Sequence, residues 1–220
     1  SSLLRLSNVK SFLMDGVYTP PTSTTSTTLN ILHVNRVMPS IEPTRPLRFI
    51  LVESPDNFKP DYWNRVVAVF TTGQAWQFKG YKWSQPAELF NHALGVYVGW
   101  RNELLPDTIK GWGRGVLNVG IDAYRDGQTA QQRWRDRETV EEIWSAIEAS
   151  MRARGFNRET GNPSSLIMCF ALSCVQAGFL VYYQYSRGES LEEKALGERN
   201  RSMVVAISIQ YAARKSTHTS

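Results

Sequence analysis

The chain has 220 residues, with 25 Lys and Arg against 20 Asp and Glu for a net charge of +5, 42% hydrophobic residues, and 7 Trp, 9 Tyr and 9 Phe. The length allows one sizeable core with an appendage, and the composition excludes both a mini-protein that needs covalent staples and a chain disordered throughout. The small, dispersed charge excludes the electrostatic footprint of a dedicated duplex binder and leaves room for a partner carrying a few negative charges.

Leu3, Leu4, Leu6, Val9, Phe12, Leu13 and Val17 open the chain, with apolar spacings of three and four from Ser7 to Gly16. That spacing predicts a short amphipathic helix ended by Gly16, a flanking element over residues 1–18. The absence of an initial Met and of a basic segment followed by an apolar one leads us to expect a fragment of a longer protein without a secretory signal. Thr19 to Thr28 is almost entirely Pro, Ser and Thr, which can bury nothing, so residues 19–30 are expected to be a linker.

The structured body is expected over residues 31–157. Leu47 to Val52, after Arg45 and Pro46, reads as a strand buried on both faces, and Val66 to Phe70 repeats that signature before Thr72 and Gly73. Gly95 to Trp100 and Val116 to Ile121 complete a set of four strands. Ser84 to Leu94, with Pro86 in the first turn, and Pro106 to Trp112 read as helices between them. Alternating strands and helices indicate a layered α/β domain. Thr139 to Arg154 is the clearest helix. Thr139 and Glu142 have capping-box spacing, Val140, Ile143, Trp144, Ile147 and Met151 make one apolar stripe, and Gly155 follows as a C-cap. The pattern is complete at Gly155, which predicts a body that folds without residues 158–220. Just before this helix, Arg133, Arg135 and Arg137 alternate with Trp134 and Asp136, either as a basic face or as a solvated loop.

Residues 158–220 form an unassigned extension. Leu166 to Tyr183 carries no charge and reaches the lower limit for a membrane span, but Ser173, Gln176 and Gly178 within it favour a buried or irregular segment. A charged stretch, Glu189 to Arg201, and a short strand candidate, Val204 to Ile209, follow.

The chemistry-bearing motifs are absent. No glycine is followed by lysine, so the phosphate-cradling loop is missing. Gly111, Gly113 and Gly115 do not complete a dinucleotide fingerprint and read as a turn. No nucleophile elbow, zinc-protease helix or kinase signature occurs, and the pair Asp122 and Asp126 reads as solvated turn carboxylates. His33, His92 and His218 are too far apart for local metal binding, and Cys169 and Cys174 fit neither a zinc pair nor a redox dithiol, which suits a reduced intracellular chain. No enzyme, cofactor or metal is expected.

One segment is far more specific. Tyr62-Trp63-Asn64-Arg65-Val66-Val67-Ala68-Val69-Phe70-Thr71-Thr72-Gly73-Gln74-Ala75-Trp76-Gln77-Phe78-Lys79-Gly80-Tyr81-Lys82-Trp83 closely resembles the C-terminal domain of the parafibromin family, whose fungal members are the cell division control subunit of the RNA polymerase II-associated factor (Paf) complex. Arg45 to Ile50, Ser84 to Phe90, Arg154 to Phe156 and the opening segment through Tyr18 fall in the family's order, so the resemblance covers roughly residues 1–157. It implies a Ras-like α/β fold with a central, mainly parallel sheet that lacks the nucleotide-binding loops. It implies as well a non-catalytic nuclear interaction module that holds the Paf complex on elongating polymerase and chromatin. The family's domain binds phosphorylated repeat tails of RNA polymerase II and its elongation factor, alongside other complex subunits, in support of histone modification and messenger-RNA maturation. The alternatives are a nucleotide-dependent switch with an unusual phosphate loop and a membrane-tethered protein using residues 166–183.

Arg65 enters a strand and Trp76 follows the turn after it, so the two are expected to converge at neighbouring sheet edges as a phosphopeptide site, with the guanidinium on the phosphate and the indole on a flanking apolar residue. The residue types also allow Trp76 to be core, with Phe78, and Arg65 to pair with Asp61. Arg133, Arg135 and Arg137 are the next partner-binding candidates.

Overall fold

Four apolar runs in the middle of the chain form the strands expected of them. The computed structural model describes residues 3–21, 31–56, 58–156, 169–172 and 180–183, the last two as backbone only. All belong to one compact unit, Ser1–Tyr185. β3 (Val66–Thr71) is buried at every position, as a central strand covered by helices must be. β4 (Leu94–Trp100) pairs with it in parallel, and β5 (Val116–Ile121) pairs with β4 in the same direction.

At the other side of the sheet an antiparallel hairpin joins β1 (Ile31–Met38) to β2 (Glu42–Val52). The apolar run at Leu47 marks only the second half of β2. The first half carries Pro43 and Pro46, and there the ladder register shifts between Arg36 and Met38, the kind of irregularity in which prolines without an N–H are tolerated. β1 alternates exposed and covered residues and interleaves His33, Asn35 and Arg36 with apolar ones, as an edge strand does.

β2 and β3 do not pair with each other directly. β6 (Cys169–Leu172) lies between them, parallel to Ile50–Val52 on one side and to Val66–Phe70 on the other, and β7 (Leu180–Tyr183) meets Phe49 and Val69 in antiparallel sense. The strand order is therefore β1-β2-β6-β3-β4-β5. Segments from beyond residue 157 thus enter a sheet that the helix-and-strand pattern would close at Gly155. They come from within the uncharged stretch 166–183, and among the described residues no helix is long and apolar enough to cross a membrane. Cys174, the charged stretch 189–201 and the strand candidate 204–209 lie outside the described residues.

Helices cover both faces. On one, α1 (Leu6–Asp15) and α4 (Trp134–Ala153) send Val9, Phe12, Ile143, Trp144 and Ile147 onto Phe49, Val67 and Val96 of the sheet. The opening helix is part of the domain's own core. Its attachment is polar as well: buried Asn8 accepts from the Arg5 N–H at 2.7 Å and donates to the carbonyls of Leu3 and Thr19 at 2.9 and 2.7 Å, and the Trp144 indole donates to the Leu13 carbonyl at 3.1 Å. Gly16 ends α1 at φ 68°, with Arg137 so close that a Cβ would sit 2.9 Å from its Cβ.

α4 starts five residues before the expected Thr139. The reciprocal cap is Thr129 with Gln132, on the 3₁₀ turn Ala130–Arg133 that leads into the helix, whereas the Thr139 hydroxyl donates to the Gly120 carbonyl at 3.1 Å and ties α4 to β5. The far end is as expected: Gly155 at φ 77° lets the Phe156 N–H reach the Met151 carbonyl at 3.1 Å and its own N–H reach Arg152 at 3.0 Å. On the opposite face, α2 (Pro86–His92), with its proline in the first turn, and the 3₁₀ turns Pro60–Arg65 and Ala75–Phe78 build a second core from Trp63, Val69, Phe78, Leu89 and Phe90. Trp112, just after the short α3 (Asp107–Gly111), packs on its edge.

Candidate partner-binding site

Arg65 and Trp76 lie on the same side of the sheet, because the two 3₁₀ turns that carry them, through Trp63 and Phe78, both pack into the second core. They do not converge. Arg65 closes the turn before β3, and Trp76 sits in the turn after it, where Gln77 accepts from the Thr71 hydroxyl at 3.2 Å and the Thr72 N–H at 3.3 Å. Five residue steps of strand separate Val66 from Thr71, roughly 16 Å at about 3.3 Å each. The two candidates thus flank opposite ends of one strand.

The two candidates have different surroundings. The Arg65 guanidinium lies 5.7 Å from the centre of the Tyr62 ring, a cation–π contact that leaves it partly exposed. Tyr62 in turn meets Phe58 edge-on at 5.8 Å, and Phe58 meets buried Trp63 at 5.4 Å. Trp76 is 45% exposed while Phe78, two residues on, is fully buried. The alternatives left by residue type therefore separate: Phe78 is core and Trp76 is surface.

The three arginines, Arg133 just before α4 and Arg135 and Arg137 in its first turn, do not share a face. Alternation would align them on a strand, but the helix begins at Trp134, where residues two apart point to opposite sides. Arg133 corrects the expectation most clearly. It is 3% exposed, and its Nε and Nη2 donate to Asp136 at 2.6 and 3.0 Å. Nη1 donates to Gln128 at 2.9 Å, and Nη2 also reaches the Asp122 carbonyl at 2.9 Å. Asp136 accepts the Tyr18 N–H as well, at 2.9 Å, so the pair joins the end of α1 to α4 and offers nothing to a partner. Arg135 is exposed, 5.3 Å from the Trp134 ring centre and 3.8 Å from Asp122, and Arg137 donates to the Asp15 carbonyl at 3.4 Å.

A family model described as RNA pol II accessory factor, Cdc73 family, C-terminal, matches residues 1–150. The chain belongs to the Cdc73 family. It is 34% identical over 157 residues to cell division control protein 73 of Saccharomyces cerevisiae, covering 71% of this chain and 37% of that protein. It is 37% identical over 158 residues to the Schizosaccharomyces pombe protein of the same name, covering 70% of this chain and 40% of that one. The chain thus spans two fifths or less of the length of these curated relatives. The solved conserved domain of yeast Cdc73 superposes with a TM-score of 0.62 at 34% identity, covering 71% of this chain and 94% of that structure. The Cdc73 domain has a Ras-like α/β fold, as the resemblance implied.

Within this Cdc73 domain one residue near the site was not anticipated from the sequence. Arg154, at the end of α4, donates to the Val66 and Val67 carbonyls at 3.0 Å each and to the His92 carbonyl, clamping the start of β3 beside Arg65. Burial lowers its pKa to about 10, and it lies 5.2 Å from the Phe156 ring centre. A cation in the last turn, just before a C-cap glycine, was the available signal.

Proposed function

We propose that this chain is a non-catalytic docking module of the Paf transcription elongation complex, acting in the nucleus. In this reading it binds a phosphorylated repeat tail of RNA polymerase II or of its elongation factor and so helps recruit the complex to elongating polymerase and chromatin. Membership of the Cdc73 family, with its description as an RNA polymerase II accessory factor, carries this reading. The spacing of the two candidate residues supports one manner of binding. An extended peptide rises about 3.3 Å per residue, so the roughly 16 Å between the ends of β3 corresponds to about five residues of tail. Arg65 takes a phosphate through paired charge-assisted hydrogen bonds, with Tyr62 holding the guanidinium, and Trp76 packs on an apolar residue further along the same tail. A short repeat satisfies both anchors at once, which a single phosphate ion cannot.

The test uses Arg65→Ala and Trp76→Ala, with phosphopeptide affinity and melting temperature measured on the same proteins. Arg65→Ala is expected to weaken binding by on the order of 1.5–3 kcal/mol, the range of a hydrogen-bonded charge. Trp76→Ala is expected to lower affinity while the fold stays within about 1 kcal/mol, because the ring is half exposed. Unchanged affinity in both variants places the tail elsewhere. The absence of a phosphate loop in the sequence supports an adaptor over a nucleotide switch, and stabilisation by GTP or ATP with magnesium in a thermal-shift experiment would overturn that preference.

A further inference from the structure

On the other face of the sheet from Arg65 and Trp76, the edge strand β1 and helix α4 line an open groove of about 490 Å³. Its floor is apolar: Met38 and the Trp144 indole line it, with Pro39 and Pro46 at the hairpin end and Val37, half exposed, at the rim. Its helical wall is acidic. Glu141, Ser145 and Glu148 fall on one stripe of α4, with Glu138 a turn earlier on the same line. Among the described residues Arg36 is the sole cation lining the cavity, and it is already engaged, bonded to Glu141 and 5.7 Å from the Trp144 ring centre. Among the described residues β1 pairs with β2 alone, so its outer edge presents backbone groups to whatever lies beside it.

We infer that this groove docks an extended, basic segment of a partner protein, added as a strand to the β1 edge with an apolar side chain in the cavity and its lysines or arginines along the acidic stripe. Three features make that occupant specific. The β1 edge, unpaired among the described residues, supplies hydrogen bonds to a backbone, which selects an extended chain over a helix. The cavity over Trp144 accepts an apolar side chain, since it has the volume and the floor for one. The third is the groove's own chemistry: Arg36 already sits between an indole and a carboxylate, the environment offered to the next cation along the stripe at Glu148. An acidic or phosphorylated tail is repelled here. This inference is independent of the Arg65 and Trp76 site.

The full chain, labelled with ¹⁵N, is titrated at physiological salt with a nine-residue peptide that alternates basic residues with valine, and with a twin carrying glutamate at every basic position. The expected result is saturable shifts confined to Ile31–Met38 and Glu141–Glu148 with the basic peptide and none with the twin. Ser145→Trp, on the exposed rim of α4, fills the groove and is expected to weaken binding at least tenfold. Glu148→Gln keeps an oxygen acceptor for the Ser40 N–H and hydroxyl, which Glu148 holds at 2.7 Å, and removes only the charge. It is expected to weaken binding about threefold or more, so the inference remains testable even if the tryptophan variant does not fold. Equal binding of the twin, shifts centred elsewhere, affinity unchanged by Glu148→Gln, or no binding at millimolar peptide would each overturn it.

Discussion

Asp136→Ala removes the carboxylate on which the junction of α1, α4 and the end of β5 depends. Three donors lose their acceptor: Arg133 Nε at 2.6 Å, Arg133 Nη2 at 3.0 Å and the Tyr18 N–H at 2.9 Å. Both partners are almost fully buried, with side-chain exposures of 2% and 1%, so water cannot replace the lost bonds and Arg133 is left as an uncompensated buried charge. Breaking such a pair costs about 3–5 kcal/mol. The bonds from Arg133 to Gln128 and to the Asp122 carbonyl survive and place the expected loss near the lower end, about 3 kcal/mol. The assay is equilibrium urea unfolding with the slope monitored, so that a shift in midpoint reports stability alone. Replacing both partners with apolar residues, Arg133→Met with Asp136→Leu, is expected to cost less than Asp136→Ala alone, because no buried charge is stranded. An Asp136→Ala protein within about 1 kcal/mol of the parent, roughly a fifteenth to a fifth of a typical domain's stability, would refute the reasoning.

Shortening the chain after Phe156 strips β6 and β7 from between β2 and β3, whose edges at Ile50–Val52 and Val66–Phe70 are buried. We expect loss of cooperative unfolding or a drop in melting temperature on the order of 10 °C or more, and an unchanged melt would mean that these strands do not depend on β6. Gly16→Ala forces a Cβ into the left-handed region against Arg137, at an expected cost of about 1–3 kcal/mol in thermal unfolding, where a neutral outcome would contradict the contact. His33 is held below its usual pKa by burial and then by Arg48 and Lys10, and its Nδ1 accepts from Arg48 Nε at 3.1 Å. A base whose folded pKa is depressed adds stability that is complete above its unfolded pKa, about 6.5, and is lost as pH falls through that value toward the folded one. The urea midpoint should therefore fall between pH 7.5 and 5.5, and the fall should shrink in His33→Gln.

β3, β4 and β5 were legible as apolar runs between helices, most clearly β3, which is buried at every position as a strand covered on both faces must be. β1 was not, since an edge strand needs no such run and His33, Asn35 and Arg36 break its periodicity. The start of α4 was hidden for a related reason. Asp136 and Arg133 look like surface charges in sequence, and only their burial against Tyr18 makes the first turns of the helix part of the interior. At the candidate site, Arg65 and Trp76 were legible as residue types and as flanks of one strand, but convergence depends on which ends of β3 they occupy. The cavity over Trp144 could not be read at all, because it arises from an edge strand and a helix more than 100 residues apart.

The central claim, that this domain docks a phosphorylated repeat tail, is tested most directly by a calorimetric titration of the full chain with one polymerase repeat peptide in phosphorylated and unphosphorylated forms at the same salt concentration. The account predicts saturable binding of the phosphorylated peptide, tighter than its unphosphorylated twin by about tenfold or more, the equivalent of one charge-assisted contact at Arg65. Equal affinity for the two peptides, or binding to neither, would contradict it.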